Sequence, residues 1–285
     1  MAQTVKIISD STCDLSKDLL EKYDISILPL HILLGETEYR DGVDITPEEI
    51  FRWSDENKTT PKTSAPSMTE AMEVMKPFLD EGREIICFSI SDSMSTSGNV
   101  MRLAAEELEA SDKVTCINSA NLSTGIGLQV IQAALLSAEG KTRAKITAAI
   151  EEIRPRVRAS FTVDTLTYLY RGGRCNAVAA LAGTMLKLHP RIVVEDGAMD
   201  ASKKYRGKLS SVILSYTKDM EDDLKNAVPD RVFITHSGCD REIVESVRSL
   251  LARPGIFYTI LVTGAAGVIS SHCGPGTLGV LFIEK

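Results

Sequence analysis

Between positions 85 and 110 the chain passes from strand to loop to helix, and this succession constrains the fold more than any other stretch. Ile85-Ile86-Cys87-Phe88-Ser89-Ile90 is β-branched and aromatic, Ser91-Asp92-Ser93-Met94-Ser95-Thr96-Ser97-Gly98-Asn99 is hydroxyl-rich turn chemistry, and Val100 to Leu108 sets Ala, Leu and Glu at helix-favouring positions. In a parallel α/β sheet, the loop beyond a strand's carboxyl end opens where ligands bind. The helix behind it offers unpaired N–H groups and the positive end of its dipole. Hydroxyls there suit an anion. They equally suit plain capping, with Ser95 or Ser97 as the N-cap.

The same alternation recurs along the first half. Val5 to Ile8 reads as a buried strand, Ser9 to Asp14 as a hydroxyl and carboxylate turn, and Leu15 to Tyr23 as a helix. Ile25 to Leu34 is apolar enough for one further strand, and Glu36 to Asp44 is polar loop or hairpin. Helices are predicted from Thr46, with a capping box to Glu49 and Pro47 at N1, and from Met68 to Asp80, with a capping box from Ser67 to Glu70. Lys62 to Ser67 is a second hydroxyl-rich turn. Strand Val114 to Ile117, a long Ala/Leu helix from Leu122 to Glu139 and a helix from Arg143 to Ile153 complete a doubly wound parallel sheet.

A second rhythm begins near Ala159, so the expected domains are 1–158, with that parallel sheet, and 159–285, a mixed-sheet α/β domain. Its expected elements are helices Thr165 to Tyr170, Ala177 to Leu186, Leu209 to Lys225 and Asp240 to Leu251, with strands Ile192 to Val194, Val232 to His236, Phe257 to Val262 and Val280 to Ile283. Asp196-Gly197 signals a hairpin.

At 285 residues with 44% hydrophobic content, the chain has ample material for real cores. A net charge of −7, without a dense basic cluster, argues against nucleic acid and against a charge-driven membrane surface. The start enters a strand at once, which predicts a cytoplasmic protein without stable membrane insertion. Six scattered cysteines show neither C-x-x-C nor metal-ligand spacing, so no metal is expected. Gly140-Lys141-Thr142 follows helix rather than a glycine-rich loop. Neither glycine run, at 125–127 or 274–279, opens a dinucleotide-binding unit, and G-x-S-x-G is missing.

Four loops carry more polar function than turns require: Thr63-Ser64-Ala65-Pro66, Ser91 to Asn99, Arg171-Gly172-Gly173-Arg174, and Ser270 to Gly276. Together with the opening Asp10-Ser11-Thr12 and Asp14-Leu15, Val163-Asp164-Thr165-Leu166 and His272-Cys273-Gly274-Pro275-Gly276, they make the whole chain resemble the DegV family of bacterial fatty-acid-binding proteins. The resemblance implies a two-domain α/β protein that holds one long-chain fatty acid in an apolar tunnel, with no cofactor. By position it assigns Thr63 and Ser95 to the carboxylate and His272 to its vicinity, with Ser64, Thr96 and Ser97 as head-group neighbours. Arg206 falls where the family places an arginine linked to phosphoryl transfer, and Arg174 is grouped with it as a phosphoryl-transfer or partner-surface residue. The implied partner is a separate ATP-dependent fatty acid kinase, which makes the acyl phosphate for phospholipid synthesis. Ser95-Thr96-Ser97 replaces the Ser-Gly-Thr of many relatives, Gly98 stands where an aromatic is frequent, and Ala65 stands where Gln is common.

The energetics suit such a ligand. Burying about 14 methylenes at roughly 0.8 kcal/mol each yields a gross gain of about 11 kcal/mol before association and ordering entropy are subtracted. A carboxylate drawn into the same tunnel must be hydrogen-bonded or neutralised. A rival expectation is an enzyme, a hydrolase or small-molecule kinase using Ser95 with His272.

Overall fold

The computed structural model describes residues 5–175 and 188–285. The expected helix Ala177 to Leu186 lies outside the described residues. The first half contributes strands β1 (Val5–Asp10), β2 (Ile25–Leu28), β3 (His31–Leu34), β4 (Thr37–Arg40), β5 (Lys62–Ser64), β6 (Glu84–Ser89) and β7 (Val114–Asn118). Its helices are α1 (Lys17–Lys22), α2 (Pro47–Asn57), α3 (Met68–Asp80), α4 (Ser97–Glu107), α5 (Thr124–Ala138) and α6 (Arg143–Ile153).

Strands β2-β1-β6-β7 form an all-parallel sheet in that order. Alternate side chains explain why both faces must be covered. Ile7, Ile86 and Phe88 pack with Ile126 and Ile131 of α5 and with Ile146 and Ile150 of α6, whereas Ile8, Ile85 and Cys87 pack with Ala71 and Met75 of α3 and Met101 and Ala104 of α4. The chain winds outward from β1 in one direction and from β6 in the other. The crevice beyond their carboxyl ends is therefore the topological switch point at which such sheets bind ligands.

Two expectations need correction here. The apolar run Ile25 to Leu34 is two strands in two sheets, because Pro29 has no N–H with which to continue a ladder. The hydroxyl-rich turn at 62–67 begins as strand β5, which pairs with β3 and places Ile32 opposite Thr63. Strands β4-β3-β5 make a small antiparallel sheet beside the switch point.

The remainder supplies β8 (Val157–Thr162), α7 (Thr167–Gly172), β9 (Leu188–Glu195), β10 (Ala198–Arg206), α8 (Leu209–Asp219), α9 (Glu221–Lys225), β11 (Ala227–Ser237), α10 (Arg241–Ala252), β12 (Thr259–Gly264), α11 (Gly267–Cys273) and β13 (Thr277–Glu284). The strands form a mixed sheet in the order β10-β9-β8-β13-β11-β12, in which β11 and β12 are parallel and the other pairs antiparallel. Residues 196 and 197 carry the positive φ angles of a tight hairpin between β9 and β10. Strand β10 itself has no clear period-2 apolar alternation, and the sequence reading missed it.

One face of the mixed sheet, with Val232, Ile234, Val280 and Phe282, is covered by α8 and α10. The opposite face, with Phe161, Ile192, Phe233 and Leu281, joins the apolar cluster of α5. Helix α5 is consequently apolar on nearly every side, as befits a helix walled in by both sheets.

Candidate functional site

A cavity of about 470 Å³ lies beyond the carboxyl ends of β1 and β6, within the size range of small-molecule sites, roughly 300–1,000 Å³. Its apolar wall comprises Leu30, Ile90, Met94, Leu122, Leu169, Met199, Val268 and Ile269. The polar lining is supplied by Thr63 and Ser64 from β5, by Asp92, Ser93, Ser95 and Thr96 from the loop after β6, by Arg174 after α7, and by His272 from α11. Residues more than two hundred positions apart in the chain thus share one wall. Thr63 Oγ1 lies 2.8 Å from His272 Nε2.

The protonation of this pair follows from its surroundings. Burial, with the Arg174 guanidinium adding to it, pushes the His272 imidazole from 6.5 down to about 4, so at neutral pH it carries a single N–H. His272 Nδ1 is buried and has no hydrogen-bond partner among the described residues. An orphaned buried N–H is costlier than an orphaned lone pair, so the proton belongs on Nε2, which donates to Thr63 Oγ1. The Thr63 hydroxyl hydrogen then remains to be donated into the cavity. Ser95 reaches a similar state by another route: its Oγ accepts the N–H of Ser97 at 3.2 Å, and no acceptor takes its O–H among the described residues. The expected N-cap role of Ser95 or Ser97 is not met: Thr96 is the N-cap of α4 and its side chain makes no capping bond, so the Ser95 bond to the Ser97 N–H is a turn contact one residue before the cap.

Gly172 makes the imidazole's position possible. A Cβ there would stand 2.3 Å from His272 Nδ1, so only glycine lets the end of α7 approach so closely. Gly173, in the left-handed region at φ 67°, then ends the helix and turns the chain towards Arg174. Arg174 is held by donation from Nη1 to Gly172 O (2.6 Å) and from Nε to Met94 O (3.4 Å). It is the one arginine or lysine among the described lining residues.

Other sequence-predicted residues are dispersed. Ser64 and Thr96 line the cavity. Ser97 does not: it is buried and donates to Asp10 Oδ2 at 2.7 Å, so its expected place as a head-group neighbour is taken by a structural bond. Arg206 ends β10 outside the cavity wall, exposed, whereas Arg174, grouped with it from sequence, belongs to the wall. No hydrogen bond joins Ser95 to His272 among the described residues, and an imidazole held at about 4 is a weak base at neutral pH. The sequence reading missed Ser93, whose hydroxyl donates to Gly197 O at 2.5 Å and pins the β9–β10 hairpin tip onto the loop after β6.

A family model described as an uncharacterised protein of the DegV family matches residues 4–285. The chain belongs to the DegV family. A DegV domain-containing protein of Clostridium perfringens is 31% identical over 281 residues, covering 99% of each chain. Among solved structures, a DegV protein of Thermus thermophilus described by its fatty acid binding superposes with a TM-score of 0.91 at 30% identity, covering 99% of this chain and 100% of its own. A stearic-acid-binding DegV structure from Eubacterium ventriosum gives a TM-score of 0.84 at 31% identity, over 99% and 98% of the two chains.

Proposed function

We propose that this DegV protein binds one long-chain fatty acid in the cavity beyond β1 and β6 and presents it to a separate ATP-dependent kinase without catalysing turnover itself. The carboxylate accepts hydrogen bonds from the Thr63 and Ser95 hydroxyls, with neutral His272 holding Thr63 and Arg174 supplying positive charge at the head-group end. Ser64 and Thr96 flank that end, and Arg206 serves phosphoryl transfer or partner contact from the outer surface. The observation carrying this reading is a mostly apolar cavity in which the Thr63 and Ser95 hydroxyls share a wall with His272, whose buried imidazole is held down to about 4. The fatty-acid-binding descriptions of similar structures support it.

Physically, the acyl chain contributes affinity through apolar burial while the hydroxyls fix orientation. Donors from hydroxyls leave the carboxylate oxygens more accessible than a tight bidentate ion pair would, as a later phosphorylation requires. Organic extraction of the purified protein followed by mass spectrometry tests the reading. A stoichiometric fatty acid is expected; a protein that carries none and takes up neither palmitic nor stearic acid would overturn it. Hydrolysis of ester substrates or of ATP by the protein alone, lost in Ser95→Ala, would instead establish an enzyme.

A further inference from the structure

Helix α11 is seven residues long, too short to hold its shape by its own hydrogen bonds. Its N-cap, Ala266, has no side chain able to accept from the first turn. The missing acceptors come from the other half of the molecule. Ala266 N donates to Asp14 Oδ1 at 2.8 Å, and Val268 N donates to Asp41 Oδ1 at 3.2 Å. Each carboxylate is held by its second oxygen: Ser123 Oγ donates to Asp14 Oδ2, and Ser11 Oγ donates to Asp41 Oδ2 at 2.7 Å. Both aspartates are buried, and neither is paired with a lysine, arginine or histidine among the described residues.

Two buried carboxylates without a cation are a costly way to stabilise one short helix. Their placement makes sense through what α11 carries. One turn past the cap the helix sets Val268 and Ile269 into the cavity wall, and at its far end it delivers His272 to Thr63. Gly267 lies so close beneath α2 and β3 that a Cβ would stand 2.5 Å from Ile32 Cδ1 and 2.8 Å from Ile50 Cδ1. The helix therefore has one seat, defined by two acceptors and one close contact, all from the first half of the chain. The dipole of α11 further favours negative charge at this end.

We propose that Asp14 and Asp41 are positioning residues for ligand binding: they cap α11 across the two halves of the protein and so fix His272 against the Thr63 hydroxyl. This deepens the fatty-acid reading and rests on it. Neither aspartate lines the cavity, so each acts through the helix.

The test is a graded series in the full chain: Asp14→Asn and Asp41→Asn, which keep one neutral acceptor, and Asp41→Leu, which keeps none. Palmitic acid affinity is read by displacement of a fluorescent fatty acid. In parallel, the imidazole resonances are followed by NMR across a pH titration, with His31, His189 and His236 as internal controls. A charged acceptor is about twice as strong as a neutral one, so Asp41→Asn should bind about threefold and Asp41→Leu about tenfold more weakly; burial pushes Asp14 well above the usual carboxylate range, so Asp14→Asn loses less charge and should weaken binding less than Asp41→Asn. The His272 resonance should move, and its titration should shift up from about 4 towards 6.5. Folded variants with unaltered affinity and an unaltered His272 resonance would overturn the proposal. So would lower thermal stability with both readouts unchanged, since that marks a merely structural role. Should Asp41→Leu fail to fold, the two asparagine variants decide on the same criteria. If the unsubstituted protein binds no fatty acid, the functional reading fails, and the His272 resonance alone judges whether the carboxylates position the helix.

Discussion

Replacing Thr63 by Val is the sharpest perturbation of the site, because it removes one oxygen and almost nothing else. Valine matches threonine in shape and suits an extended backbone, so β5 should keep its pairing with β3. The hydroxyl has two duties in the proposed complex: it accepts from His272 Nε2 and donates to the ligand carboxylate. A hydrogen bond to a charged group contributes about 1.5–3 kcal/mol net, so losing it should weaken fatty-acid binding roughly 10- to 150-fold. In the free protein the His272 N–H loses its acceptor, at a cost of about 1–3 kcal/mol, which lowers the unfolding midpoint by roughly 2–12 °C for a chain of this size. Affinity is measured by displacement of a fluorescent fatty acid and stability by calorimetry, with Thr63→Ser as the control that restores the hydroxyl. Binding within threefold of the original protein, with an unchanged midpoint, would refute both the head-group assignment and the Nε2 tautomer.

Three further outcomes follow from the same geometry. Gly172→Ala should displace the His272 ring, since its Cβ would meet Nδ1 at 2.3 Å; calorimetry should show a loss of about 1–3 kcal/mol together with weaker palmitic acid binding, and neutral behaviour in both would count against the close packing. His272, held at about 4 when folded against 6.5 when exposed, binds its proton later than the unfolded chain as pH falls, so its contribution to stability is complete above about 6.5 and is lost on descending towards 4. Asp41, raised by burial to about 6, acts with the opposite sign: its contribution is complete below about 3.8 and is lost as pH rises through 6. The difference between His272→Gln and the unsubstituted protein, measured by denaturant unfolding across that range, isolates the histidine and should shrink as the pH falls from 7 to 4. Arg206→Ala should leave palmitic acid affinity unchanged while lowering acyl phosphate formation by the kinase, and a reduced affinity would place Arg206 at the cavity after all.

What could be read directly from the chain was whatever depends on neighbours within a dozen residues. The capping boxes Thr46 to Glu49 and Ser67 to Glu70 appear as expected because each is a contact between positions i and i+3. The parallel sheet was equally legible, since strands buried on both faces must read as continuous apolar runs. Pro29 and the strand β10 show the limit: one apolar run was split between two sheets, and a polar, lysine-rich segment became a strand because β9 was there to pair with it.

The candidate site was legible as residue types but not as an arrangement. Thr63, Ser95 and His272 could be singled out by their motifs, yet no local pattern says that Thr63 and His272 share a hydrogen bond across 209 positions or that Ser97 turns inward to Asp10. Nor does any local pattern set Arg174 in the cavity wall and Arg206 outside it. Sequence determines periodicity, caps and turns because those are short-range free energies of the backbone and of adjacent side chains. Only the tertiary structure decides which hydroxyl keeps a free proton, which histidine stays neutral and which aspartate caps a distant helix, because each depends on burial and on partners brought together by the two sheets closing around α5.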